Sequence, residues 1–105
     1  MNLYLDSQAK IKIDARLPDG QRLNVDSIVG AEYRLFFGGI EFLKKRLNSG
    51  ITIENDAAGD GFLYVSFDKR ELSFVGEYNQ RLVVTDCSGN ETSVTLRPSS
   101  FFVKE

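Results

Sequence analysis

From Lys10 onward the chain alternates apolar and polar positions with a period of two. Ile11, Ile13 and Ala15 interleave with Lys10, Lys12, Asp14 and Arg16. Successive side chains of a strand point to opposite faces, so this pattern predicts a strand with one buried face. Pro18-Asp19-Gly20 predicts a turn, because proline presets the first turn position and glycine tolerates the left-handed one. Leu23 and Val25 predict a short second strand. Tyr33, Leu35 and Phe37 predict a third, interleaved with Glu32, Arg34 and Phe36.

Gly38-Gly39 predicts a tight hairpin, since two glycines can take the positive φ angles of a primed turn. Ile40 to Leu47 would return as the next strand. Ile40, Leu43 and Leu47 also fit helical spacing. The β character of the flanking segments favours the strand. Ile51 and Ile53 alternate with Thr52 and Glu54. A polar loop over 55–61 separates them from Leu63, Val65 and Phe67. Residues 68–75 read as a short linker in which Leu72 plugs the bottom of the core. After Gly76 comes the longest strand, with Tyr78, Leu82 and Val84 facing one way. Residues 86–90 form a turn, in which Asp86 caps through its side chain and Gly89 takes the left-handed position. Strands over 92–96 and 101–103 close the chain.

Eight or nine short segments, with turn signals about every ten residues, predict an all-β antiparallel sandwich or barrel. A doubly wound parallel sheet would need helices between the strands, and none is apparent. The 105 residues fit one domain, with no linker or repeat to mark a second. That length can bury a core without help from a metal or a disulfide.

Gly76-Glu77-Tyr78 narrows the sandwich further. A tyrosine opening the longest strand can turn its hydroxyl back to the preceding corner, the tyrosine corner of Greek-key sandwiches. The alternative is a core tyrosine with its hydroxyl at the rim. The corner makes the expected fold an immunoglobulin-like antiparallel β-sandwich of about seven to nine strands.

Composition removes several function classes. The chain has no histidine, so neither a Ser-His-Asp nor a Cys-His arrangement can be built. The single cysteine, Cys87, falls in an expected exposed hairpin and can form neither an internal disulfide nor a thiolate cluster. Glu54, Asp56 and Asp60 share one loop but not the spacing of a calcium loop, and read as a solvated turn. No catalysis, metal or cofactor is expected. A net charge of −2 disfavours a nucleic-acid partner. There is no apolar run near the length of a membrane span. Met1 to Lys10 lacks the pattern of a secretory signal, so synthesis and folding in a cytoplasm are expected.

What remains is surface. Phe36, Phe62, Tyr64 and Val83 fall on faces opposite the alternating core positions: exposed together they would mark an interface, the favoured reading, and covered by nearby loops they would belong to the core. Lys44-Lys45-Arg46 is a compact positive run that could meet an acidic partner surface or a nucleic acid, or could simply be a solvated face or a guard on an edge strand.

The order of the second half is strand, acidic Gly-rich turn, strand, short linker, Gly-x-Tyr, long strand, Asp86-Cys87-Ser88-Gly89-Asn90 and closing strands. The first half adds Asp19-Gly20 and Tyr33-Arg34-Leu35. Together they resemble the small Ig-like structural proteins of tailed bacteriophages and prophages, of head, tail and baseplate type, over roughly Lys10 to Val103. The departures are Cys87 and the long basic segment Ile40 to Leu47. The resemblance implies a non-enzymatic virion protein made in the bacterial cytoplasm. Its partners would be other virion proteins or copies of itself, as a homo-oligomer in the particle. A carbohydrate- or ligand-binding sandwich, or an Ig-like repeat of a bacterial surface protein, is the alternative. The absence of tryptophan weighs against sugar stacking.

Overall fold

A computed structural model describes residues 2–105. Ten strand segments follow in the order β1 (Asn2–Tyr4), β2 (Ala9–Ile13), β3 (Ala15–Arg16), β4 (Ile28–Phe37), β5 (Ile40–Leu47), β6 (Gly50–Asn55), β7 (Gly61–Phe67), β8 (Gly76–Asp86), β9 (Glu91–Leu96) and β10 (Ser100–Lys104). β3 continues β2 past Asp14, and β10 continues β9 past a bend at residues 97–99. The ten segments therefore make eight strands, within the expected range.

One layer runs β1-β10-β8-β4-β5, with β9 also paired to β8. The other runs β2-β7-β6. A two-residue parallel contact, Arg46↔Gly50 and Leu47↔Ile51, links the layers at one corner. In immunoglobulin letters these are an A′GFCC′ sheet and a BED sheet. The chain is an immunoglobulin-like β-sandwich.

The inner faces are the ones the alternation marks. Tyr33 and Leu35 of β4, Tyr78 and Leu82 of β8 and Phe101 of β10 meet Ile51, Leu63, Val65 and Phe67 of the opposite layer. Phe67 packs across the sandwich against Tyr33, at 6.1 Å between ring centroids, and against Phe101, at 6.0 Å. Leu72 is fully buried under the β7–β8 connection, as its place in the linker predicts. The one buried polar side chain among the described residues, Gln80, accepts from the Tyr33 hydroxyl at 2.6 Å and donates to the Pro98 carbonyl at 3.0 Å. Burial without those partners would be costly.

The β4–β5 hairpin turns on Gly38 and Gly39, both with positive φ (62° and 80°), as a primed turn requires. Residues 40–47 form a strand, not a helix, because β4 pairs with them along their length. Tyr78 forms the tyrosine corner: its hydroxyl donates to the Phe74 carbonyl at 2.8 Å and accepts from the Phe74 amide at 3.1 Å.

Two features depart from the sequence reading. Leu23 and Val25 do not make a strand. Arg22 forms an isolated bridge to Arg16, and Val25–Ser27 is a 3-10 turn. The Asn24 side chain accepts from the Asp26 amide at 3.0 Å and draws the backbone into that turn. Leu23 and Val25 are buried all the same, so alternating burial here does not mean a strand. β1 was not expected. Its three residues are too few to show a period, and it is held by parallel pairing to β10.

Candidate interaction surfaces

The four outward positions marked in the sequence are all half-buried, and they do not form one patch. Phe62 and Tyr64 lie on the outer face of the β2-β7-β6 layer. Phe36 and Val83 lie on the outer face of the other. Cations roof three of the four. Lys12 Nζ is 4.5 Å and Arg22 Cζ 4.7 Å from the Phe62 ring centroid, and Lys10 Nζ is 5.4 Å from that of Tyr64. Arg81 Cζ is 5.0 Å from that of Phe36. Carboxylates then hold the cations on the first face: Lys10 pairs with Glu54, Lys12 with Asp56 at 3.5 Å, and Arg22 with Asp60 at 3.9 Å. That face is a charge-laced surface, not an open aromatic platform.

The basic run is likewise divided, since neighbouring strand residues point to opposite faces. Lys44 and Arg46 lie outward around Glu32, at 4.0 and 3.8 Å, with Arg34 at 2.6 Å. The Arg34 hydrogen bond, aided by the charges of Lys44, Arg34 and Arg46, lowers the Glu32 pKa against some desolvation. Lys45 turns inward, with its side chain only 12% exposed, and its ammonium spans both Glu71 oxygens at 2.7 and 2.8 Å. Three adjacent cations thus do two separate jobs.

The acidic loop is occupied with its own backbone. One Asp56 oxygen accepts from the Ala58 and Asp60 amides at 2.9 and 3.0 Å, and the bond to Asp60 is the main reason its pKa is lowered. Glu54 is lowered by Lys10 and then by Thr52, whose hydroxyl donates to it at 2.6 Å. No group of three metal-ligating side chains occurs among the described residues. Asp86 caps its hairpin as expected, accepting from Ser88 and Asn90, and Gly89 closes the turn onto the Asp86 carbonyl. Cys87 is exposed in that turn.

The sequence reading missed one exposed apolar surface. At the β4–β5 hairpin end, Phe74 stacks on Phe37 at 5.5 Å and meets the Phe42 ring edge-on at 5.7 Å. Both Phe37 and Phe42 rest on Tyr78. Phe74 is nonetheless 52% exposed, Val75 50%, and Ile40, paired across the hairpin with Phe37, 74%. Gly76 allows this close approach: a Cβ there would stand 3.2 Å from the Phe37 ring, and its φ is +138°. The available signal was Phe74-Val75, an apolar pair inside a polar linker after Leu72 had already filled the core.

A concavity lies where β9 leaves β8. After Val94 the strand crosses to pair with β3 through Leu96 and Thr95. A trough of about 450 Å³ opens beside Arg81, between β4 and β9, over Phe36 and Val83.

No protein-family model and no curated protein matches the chain. A solved structure of murine CRIg aligns with 100% of this chain and 92% of that one, at TM-score 0.43 and 11% identity. A likeness at that level carries no argument, and the immunoglobulin-like assignment rests on the strand order itself.

Proposed function

We propose that the domain is a non-enzymatic structural module of a tailed phage or prophage particle, acting through protein–protein contact. The observation that carries the contact reading is the exposed cluster of Phe74, Val75 and Ile40 around the half-buried Phe37 and Phe42. An apolar patch of this kind, fixed by a tyrosine corner, is a surface kept for a neighbour. The phage setting rests on the turn and strand order that resembles the Ig-like virion proteins. The neighbours would be other virion proteins or further copies of the chain. The alternative of sugar stacking is disfavoured, because cations roof the rings of Phe62, Tyr64 and Phe36.

The test is mass spectrometry of particles induced from the source strain. The chain is expected at a fixed copy number per particle, and Phe74→Ser is expected to lower its incorporation. Purified particles that lack the chain would overturn the proposal, as would specific, saturable binding on a glycan array.

A further inference from the structure

The trough beside Arg81 has a chemistry of its own. Among the described residues, each cation in the interior of a strand has a carboxylate within 4.0 Å, with one exception. Lys10, Lys12, Arg34, Lys44, Lys45 and Arg46 are all paired. Arg81, in the middle of β8 and exposed, has no such partner among the described residues. Its guanidinium lies over the Phe36 ring. That contact orients the planar group and leaves its N–H edge free.

The groups around it are donors as well. Ser93, Thr95 and Ser99 line the trough from the β9 side. All three are exposed, and their hydroxyls make no side-chain hydrogen bond among the described residues. Glu32 stands at one end, but Arg34, Lys44 and Arg46 already surround its charge. The floor, Phe36 and Val83, is apolar. A guanidinium edge and hydroxyls over an apolar floor suit one carboxylate flanked by aliphatic groups. They suit a phosphodiester chain poorly, because such a chain needs cations repeated along its path.

We infer that this trough receives an acidic side chain, aspartate or glutamate, from an extended apolar segment of a partner protein, with Arg81 as the carboxylate receptor. The inference rests on the protein–protein reading above and adds the chemistry of one contact.

The test is an NMR titration of the isotope-labelled full chain with a capped Ala-Val-Glu-Val-Ala peptide and its Gln counterpart. Saturable shifts are expected at Arg81, Val83, Ser93 and Thr95, with the Glu peptide about tenfold tighter than the Gln peptide. Arg81→Gln should weaken the Glu peptide about tenfold and leave the rest of the spectrum folded, with Arg81→Lys intermediate. Equal binding of the two peptides would overturn the inference, as would shifts centred elsewhere or an Arg81→Gln variant that binds unchanged. So would a thymidine oligonucleotide or inorganic phosphate that takes the same face more tightly than the Glu peptide. The failures separate cleanly. If the peptide does not bind but the chain is present in particles, only this inference falls. If the chain is absent from particles while the peptide binds at Arg81, the particle setting falls and the receptor stands.

Discussion

The Tyr78 hydroxyl both donates to the Phe74 carbonyl and accepts from the Phe74 amide, so one side chain satisfies both backbone groups of a residue four positions upstream. The bond ties the β7–β8 connection to the core and holds the Phe74 ring against Phe37. Tyr78→Phe removes the oxygen and leaves the ring in place. The expected cost is about 1–2 kcal/mol, read as a lower urea midpoint with an unchanged slope. Backbone amide exchange should accelerate around Phe74 and Val75 more than in β4. An unchanged midpoint would mean that water replaces the hydroxyl at no cost.

Tyr78 shares the alkaline limit with Tyr33. Burial raises the pKa of Tyr33 and of Tyr78, the latter partly offset by the hydrogen bond from the Phe74 amide. A phenol with a raised folded pKa keeps the native state protonated where the unfolded chain has already lost its proton. Its contribution is complete below the unfolded value, about 10, and is lost as pH rises toward the folded value. Stability should therefore fall above about pH 10. In a titration followed by tyrosinate absorbance, part of the signal should appear together with the loss of β-sheet circular dichroism. Complete ionisation without unfolding would contradict the buried placement of Tyr33.

The acid side works in the opposite sense. Glu32, Glu54 and Asp56 have lowered pKa values, from Arg34, from Lys10 and from the Asp60 amide respectively. Carboxylates with depressed folded values contribute above the unfolded value, about 4, and that contribution is lost as pH falls through the folded ones. All three are exposed enough for salt to weaken the ion pairs, whereas the Asp56 backbone bonds persist. Asp56→Ala should thus flatten part of the acid transition even at high salt, and Glu32→Gln mainly at low salt. Urea midpoints at pH 7 and pH 3, with and without added chloride, check both.

Much of the fold was legible because burial in a sandwich follows the period of the strand. Tyr33, Leu35, Val65 and Tyr78 are inward as the alternation requires, and Gly38-Gly39 and Asp86 to Asn90 turn where their backbone chemistry allows. The surface was less legible. Alternation marks Phe62 and Phe36 as outward, but it gives neither the layer each sits on nor the cation that covers it. Those depend on cross-strand register, which brings Lys12 and Arg22 to Phe62 from two distant segments. Phe74 and Val75 were hidden for a different reason: a loop has no period, and only the corner bond decides which way its side chains face.

That exposure predicts a separation of stability from association. Phe74→Ser removes half-exposed apolar area and should cost less than the 3–5 kcal/mol of a core phenylalanine such as Phe67. Ile40→Lys, at the hairpin end, should cost less than 1 kcal/mol, the usual result of a surface change. Both should nevertheless reduce partner capture or particle incorporation far more than an equally destabilising core change such as Val84→Ala. Thermal midpoints and incorporation measured on the same three variants test this. Incorporation that simply tracks stability would remove the patch from consideration.

Lys45 and Glu71 offer a sharper test of how this small domain manages a half-buried charge. Their side chains are 12% and 23% exposed, and Glu71 also accepts the Asp68 amide at 2.7 Å. Lys45→Met removes the ammonium and strands a carboxylate that still holds the loop, which should cost about 1–3 kcal/mol. Glu71→Gln keeps an oxygen for both Lys45 and the Asp68 amide, so it should cost less. Replacing both, as Lys45→Met with Glu71→Gln, leaves no unpaired charge and should recover most of the loss. A double-mutant cycle in urea therefore gives a coupling energy of about 1 kcal/mol or more. Strict additivity would show that water reaches Glu71 and that the inward turn of Lys45 contributes packing alone.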